Sequence, residues 1–194
     1  MRKFFLFASI VLLLNGCSIL SELTAFTKCE FRFHSLQDPL LCGINVQNRT
    51  SFSDFNFIDG QMVVAQLLNG KLPFGITVNV EAQNPGTSTA AVNSIEWLAY
   101  IDDVEIARGV VQHRVEVAPN GGRSMIPIKI DADLFEYLEG DNPRAMLNFA
   151  LNQVNAGDEP SRLSMKIKPS VLIGGQEFDY PGYFTITREF SGGN

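Results

Sequence analysis

Two histidines, a pair of cysteines and two close aspartate pairs are the side chains whose type and spacing could do chemistry in this chain. His34 and His113 stand apart, with no serine or cysteine partner in a nucleophile motif. The sequence holds no G-x-S-x-G, no H-E-x-x-H, no P-loop and no GxGxxG after a strand. His113 falls on the apolar-facing register of its strand, where a hydrogen-bonded boundary histidine is the simpler reading. Asp102-Asp103 and Asp131 with Asp133 could offer oxygen to a cation, but turn and helix-cap duties explain them more simply. Cys29 and Cys42 are not spaced as C-x-x-C, and the nearby imidazole is His34 alone, so a metal site is not expected. The expectation is therefore no catalytic residue, no metal and no cofactor.

A third cysteine has a different chemistry. Met1-Arg2-Lys3 is a basic start, Phe4 to Leu14 is apolar, and Leu14-Asn15-Gly16-Cys17 follows. This is the layout of an export signal, and its end resembles the lipobox of bacterial lipoproteins. The resemblance implies cleavage after Gly16 and lipid on Cys17. The apolar run is too short for a bilayer span, which needs roughly 20 residues. The expected organisation is a 1–16 signal, a 17–28 tether and one domain over 29–194. The membrane partner is then reached through lipid. The uncharged Ser18 suggests, by analogy with lipoprotein sorting, the outer membrane facing the periplasm.

Export means an oxidising compartment, which favours a Cys29–Cys42 disulfide. Two separate buried thiols are the other reading. Without the signal, 13 basic and 21 acidic side chains remain, a formal charge of −8. That balance argues against nucleic acid as a partner. The remaining length supports one domain with a sizeable core.

The elements that must position these residues are mostly strands. Cys29 to His34, Leu72 to Gln83, Ala91 to Ile101, Val111 to Val117, Ile126 to Ile130 and Leu163 to Lys168 alternate apolar and polar residues. Pro127 cannot donate to a ladder, so its strand is expected at an edge or with a bulge. Pro119-Asn120-Gly121-Gly122 and Gly174-Gly175 read as hairpin turns. Asp59 is expected to cap a helix through Gln61 to Leu68, ended by Asn69-Gly70. Further short helices are expected over Asp131 to Glu139 and from Asn142-Pro143 to Ala156-Gly157. Phe52, Phe55 and Phe57 read first as anchors into the core. If they are exposed, they and the Pro127 edge form a partner surface. The sum is an all-β sandwich of about seven or eight strands with two or three short helices.

From Leu72 to Phe190 the chain resembles the water-stress and hypersensitive-response domain of the LEA14-like late embryogenesis abundant proteins. The matching features are Asn84-Pro85, Ile95 to Asp103, Val104 to Gly109, Pro119 to Gly122 with Ile126-Pro127-Ile128, and Gly182-Tyr183-Phe184. The resemblance implies an immunoglobulin-like or fibronectin-like sandwich with no catalytic residue. It assigns Gly109 to a bulge or a positive-φ position. The front of the chain departs from the family, and the combination looks like LEA14-like lipoproteins of Bacteroidota. The expected function is a non-enzymatic, lipid-anchored interaction module of the cell envelope with an envelope protein as partner. The alternatives are stress protection during water loss and carriage of a small apolar ligand.

Overall fold

The computed structural model describes residues 19–47, 54–138, 148, 149, 152 and 159–190. Cys17, Phe52 and most of the helix expected after Asn142 lie outside these residues.

Two antiparallel sheets face each other. In the first, β3 (Pro73–Asn84) lies between β1 (Glu30–Leu41) and β8 (Gly122–Asp133), with β2 (Ile44–Asn45) beyond β1. Strict alternation along β3 buries Phe74, Ile76, Val78, Val80 and Ala82 on one face. β8 is an edge strand, as Pro127 requires, and it pairs with β3 without a register shift. In the second sheet, β9 (Ser161–Ile173) has β5 (Ser94–Ile101) on one side, with β6 (Val104–Val111) beyond it. β10 (Gln176–Asp179) and β11 (Phe184–Phe190) both pair with β9. The core lies between the sheets, where Ile76, Val78, Ile128 and Ile130 join Ile95, Ile101, Leu163 and Met165, all but excluded from water. This is the all-β sandwich architecture the alternation predicts.

Eleven strands are present among the described residues rather than seven or eight, and two of the expected strands break. The first breaks at Asn93 into β4 (Ala90–Val92) and β5; the second breaks over 112–114 into β6 and β7 (Val115–Val117). At Asn93 the backbone N–H donates to the Ser170 carbonyl, and the side-chain oxygen accepts from the Leu172 N–H at 3.0 Å. The chain changes partners there, and β4 pairs with β7 as a separate small sheet. His113 consequently sits exposed in a connection, not on an inward strand register.

The Pro119–Gly122 turn is not a hairpin between paired strands, since β7 pairs with β4 and β8 with β3. It carries the chain from one sheet to the other. Asn120 and Gly121 have φ of +59° and +83°, and their N–H groups donate to the Gly86 and Asn84 carbonyls. Gly109 also has a different role from the expected one: it has no positive φ. It faces Trp97 across the β5–β6 pair, and a Cβ there would lie 2.5 Å from the indole Cζ2. The register shift in this pair falls instead between Ala99 and Tyr100.

The helices also differ from expectation. β8 runs on to Asp133, so only Phe135–Leu138 is helical (α3). The Asp133 carboxylate accepts from the N–H groups of Leu72 and Phe135 at 2.7 and 3.1 Å, which fixes this corner. Residues 19–26 (α1), expected as part of a tether, form a helix docked on the sandwich. Phe26 is fully buried, Ile19 and Leu23 pack on the core, and Glu22 bridges Arg114 at 2.7 Å. The helix Phe57–Leu68 (α2) is capped by Asn56, with Asp59 at its third position completing a capping box.

Candidate functional site

The most organised polar cluster lies on the outer face of the second sheet. Alternation puts Glu96 on that face of β5 and Lys168 opposite it on β9. The Gly174-Gly175 turn, with φ of +61° and +84°, folds β10 back and brings Asp179 alongside. Lys168 Nζ lies 2.9 Å from Glu96 and 3.1 Å from Asp179. Tyr183 donates its O–H to Glu96 at 2.8 Å, Ser170 donates to Asp179 at 2.8 Å, and Ser94 donates to Glu177 at 2.5 Å. A groove of about 360 Å³ runs beside these groups, lined also by Asn93, Gln112 and Leu172.

The electrostatics of this cluster are closed on themselves. Hydrogen bonds from Lys168 and then Tyr183 hold Glu96 below its ordinary range. Hydrogen bonds from Ser170 and then Lys168 do the same for Asp179. The Glu96 and Asp179 carboxylates push Lys168 upward, and the hydrogen bond to Glu96 raises Tyr183. Near neutral pH the lysine stays an ammonium, the acids stay ionised and the phenol keeps its proton. None of these states suits a general acid, a base or a nucleophile working near neutrality. The first sheet has a parallel arrangement: Glu81, almost wholly covered on the outer face, is ringed by Arg32 at 2.5 Å, His34 at 3.7 Å and Arg123 at 3.8 Å.

The residues singled out from the sequence do not converge on one site. Asp102 and Asp103 form a turn with φ of +45° and +71°, in which Asp102 accepts from the Arg162 N–H and Asp103 pairs with its guanidinium. Asp131 pairs with Lys129 at 3.0 Å, and Asp133 serves the corner already described. Among the described residues, no group of three potential metal ligands is present.

Cys29 and Cys42 are free, buried thiols, which corrects the expected disulfide. The cause is β1 itself. The intervening loop is one extended strand, matched against β3 from Gln83 down to Phe74. Its ends lie on the order of 30 Å apart at ~3.3 Å per residue, whereas a bridge needs Cα atoms within about 7 Å. Burial raises Cys29 to about 11, and burial, then the Asp133 charge, raises Cys42. Both are protonated thiols with structural surroundings.

The apolar candidates divide. Phe55 is half-buried, but Phe57 is 80 % exposed and anchors nothing. Pro127 is exposed midway along β8, opposite Asn79, on a different element from Phe57. α2 turns its polar stripe inward: Asp59 is buried and Gln66 half-buried, on one face with Val63. Ile58, Met62, Val64, Leu67 and Leu68 join Phe57 in facing solvent. An open, mainly apolar cleft of about 440 Å³ lies at the same end of the sandwich, beside Leu40, Gly43, Pro73 and Phe74. The apolar spacing in α2 is visible in the sequence; that it faces outward is not.

No protein-family model and no curated protein matches this sequence. Among solved structures, the chain is similar to a protein from Archaeoglobus fulgidus at 14 % identity, covering 82 % of this chain and 96 % of that one, with a TM-score of 0.36. It is similar to an Arabidopsis thaliana protein at 13 % identity, covering 62 % and 70 %, with a TM-score of 0.39. A solution structure titled as a late embryogenesis abundant protein matches at 11 % identity, covering 99 % and 84 %, with a TM-score of 0.35. The sandwich assignment rests on the strand pairing itself.

Proposed function

We propose that this chain is a non-enzymatic, lipid-anchored interaction module of the bacterial cell envelope, held through Cys17 and presenting α2 to a partner. The outward apolar face of α2 carries this reading. A short helix in water normally buries most of its apolar side chains; α2 turns Val63, with Asp59 and Gln66, toward the fold and leaves six apolar side chains exposed. Phe57, Ile58, Val64 and Leu68 are each more than half exposed. Contiguous apolar surface of this kind marks interaction sites. The placement of α2 also fits. α1, next to Cys17, leads into the start of β1, whereas α2 joins β3 at Pro73, at the opposite end of the same strand pair. The proposed location is the outer membrane facing the periplasm.

The test is a crosslinking capture of the full-length protein from native envelopes, with Phe57→Asp/Leu68→Asp and Cys17→Ala as controls. Reproducible capture of one protein or complex that the α2 variant abolishes supports the module. Capture unchanged by the α2 variant removes α2 from the reading. If nothing is enriched and the protein preserves a reporter enzyme on drying, the stress-protective alternative takes its place.

A further inference from the structure

Resting on the lipid-anchor reading, we propose that α1 seats the sandwich directly on the bilayer, with Leu20 and the surface around Arg114 against the headgroups, so that the domain keeps one orientation to the membrane. The observation is a connection without slack. Two peptide units separate Cys17 from Ile19, a reach of about 7 Å. Ile19 already packs on the core, Leu23 does so one turn later, and Phe26 is fully buried. The helix then enters β1 through a hydrogen-bonded turn. The N–H groups of Thr27, Lys28 and Cys29 donate to the Leu23, Ala25 and Phe26 carbonyls at 3.0, 3.1 and 3.0 Å. The Phe26 ring lies 5.3 Å from that of Phe31, which lies 5.4 Å from that of Phe184 in β11. α1 is thus fastened toward both sheets, and the chain from Ile19 to β1 offers no swivel.

The register tells which end of the fold this brings to the membrane. Glu30, Gln83 and Arg123 pair across the first sheet where α1 enters. Leu40, Gly75 and Asp131 pair at the other end, on the order of 25 Å along β8 at ~3.3 Å per residue. Glu22 keeps α1 at the first end. Its partner Arg114 immediately precedes β7, whose Val117 carbonyl accepts from Asn84 where β3 pairs with Gly122. The face of α1 turned from the core suits a lipid surface. Leu20 is 50 % exposed, Ser21 and Thr24 are uncharged, and the Thr24 hydroxyl donates to the Leu20 carbonyl. Glu22 is the sole charged residue of α1, and Arg114 answers it at 2.7 Å. The helix of an acidic protein therefore brings no unpaired carboxylate to anionic headgroups. Affinity need not come from this face, because the lipid already holds it at the surface.

The experiment reconstitutes the full-length lipidated protein in vesicles of phosphatidylethanolamine and phosphatidylglycerol that carry a nitroxide-headgroup lipid. A fluorophore is placed on His113→Cys, beside Arg114, or on Asp131→Cys, both at exposed positions. The native Cys29 and Cys42 are buried and serve as background. The expected result is quenching at 113 several-fold stronger than at 131. Leu20→Asp, at an exposed position, lowers the quenching at 113 without moving the urea midpoint. Equal quenching at the two positions would overturn the proposal, since a swivelling domain brings both to the surface. So would undiminished quenching at 113 in Leu20→Asp. Mass spectrometry of the same protein separates this from the reading beneath it. Lipid found on Cys17 keeps the anchor whatever the quenching shows, and a Cys17 without lipid would sink the anchor and the seat together.

Discussion

The outer face of the second sheet and the outer face of α2 are both exposed, and they are finished to different degrees. On the sheet, Lys168 meets Glu96 and Asp179, and those acids take further hydrogen bonds from Tyr183 and Ser170. Each member is answered from within the chain. On α2, Phe57 and Leu68 are more than three-quarters exposed. A polar surface that is internally paired is a reason for the monomer to hold its shape. An apolar surface left outward is a reason to look beyond the monomer.

The difference is broken most severely inside the sandwich. Gly109→Val places carbon against the Trp97 indole, where a Cβ would already lie 2.5 Å from Cζ2. Overpacking against the buried indole should cost about 3 kcal/mol, read as a lower urea midpoint. Asn84→Ala should follow at about 2 kcal/mol. Asn84 is fully buried; its amide donates to the Ser88 and Val117 carbonyls and its oxygen accepts from the Gly86 N–H. Removing it leaves those carbonyls without their partner at the point where the chain changes sheets. An unchanged urea midpoint in Asn84→Ala would show that water replaces these bonds.

Lys168→Met sharpens the polar half of the comparison. The lysine side chain is 19 % exposed, but Glu96 and Asp179 are 37 % and 51 % exposed. Solvent screening therefore limits the expected loss to less than about 1 kcal/mol near neutral pH. The pH dependence is the stronger test. Both carboxyls are lowered in the folded state, so their contribution is present above their ordinary values of 4.5 and 3.8 and is lost as pH falls below them. Lys168 is raised from 10.5, so its contribution is full below that value and fades only at higher pH. The wild type should lose stability into acid faster than Lys168→Met, with the two curves converging below pH 4. Parallel curves would mean that the network adds nothing to stability.

Much of this was legible from period alone. β5 and β8 have one buried face, and alternation names it residue by residue; in β3 and β9 alternation names the apolar face but not the cover over Asn79, Glu81, Ser164 and Ser170 on the other. The break at Asn93 was not legible, because it depends on Ser170 and Leu172, far along the chain. α1 had a signal: Ile19, Leu23 and Phe26 repeat at helical spacing, so the expected tether held a helix. Glu96 and Lys168 fall at polar positions of alternating stretches, and only the pairing of β9 with β5 and β10 brings them to each other and to Asp179. Periodicity in α2 tells which residues share a face, not which face is covered. The Cys29–Cys42 disulfide failed for a related reason: spacing in sequence suited a bridge, while one continuous strand held the ends apart.

The smallest expected effect is the most discriminating one. Leu68→Ser removes an apolar side chain that is 82 % exposed at the last turn of α2. In a finished surface such a change stays within about 0.5 kcal/mol, and the urea midpoint of the monomer at high dilution should not move. If α2 is an interface, the same substitution should lower capture in envelopes while leaving that midpoint untouched. Lys168→Met should do the opposite, shifting the acid limb of stability and leaving capture as it was. The two variants thus separate the halves of the molecule by readout rather than by size of effect. A loss of monomer stability in Leu68→Ser would mean that the helix is already covered by its own chain and that its outward face is part of the fold.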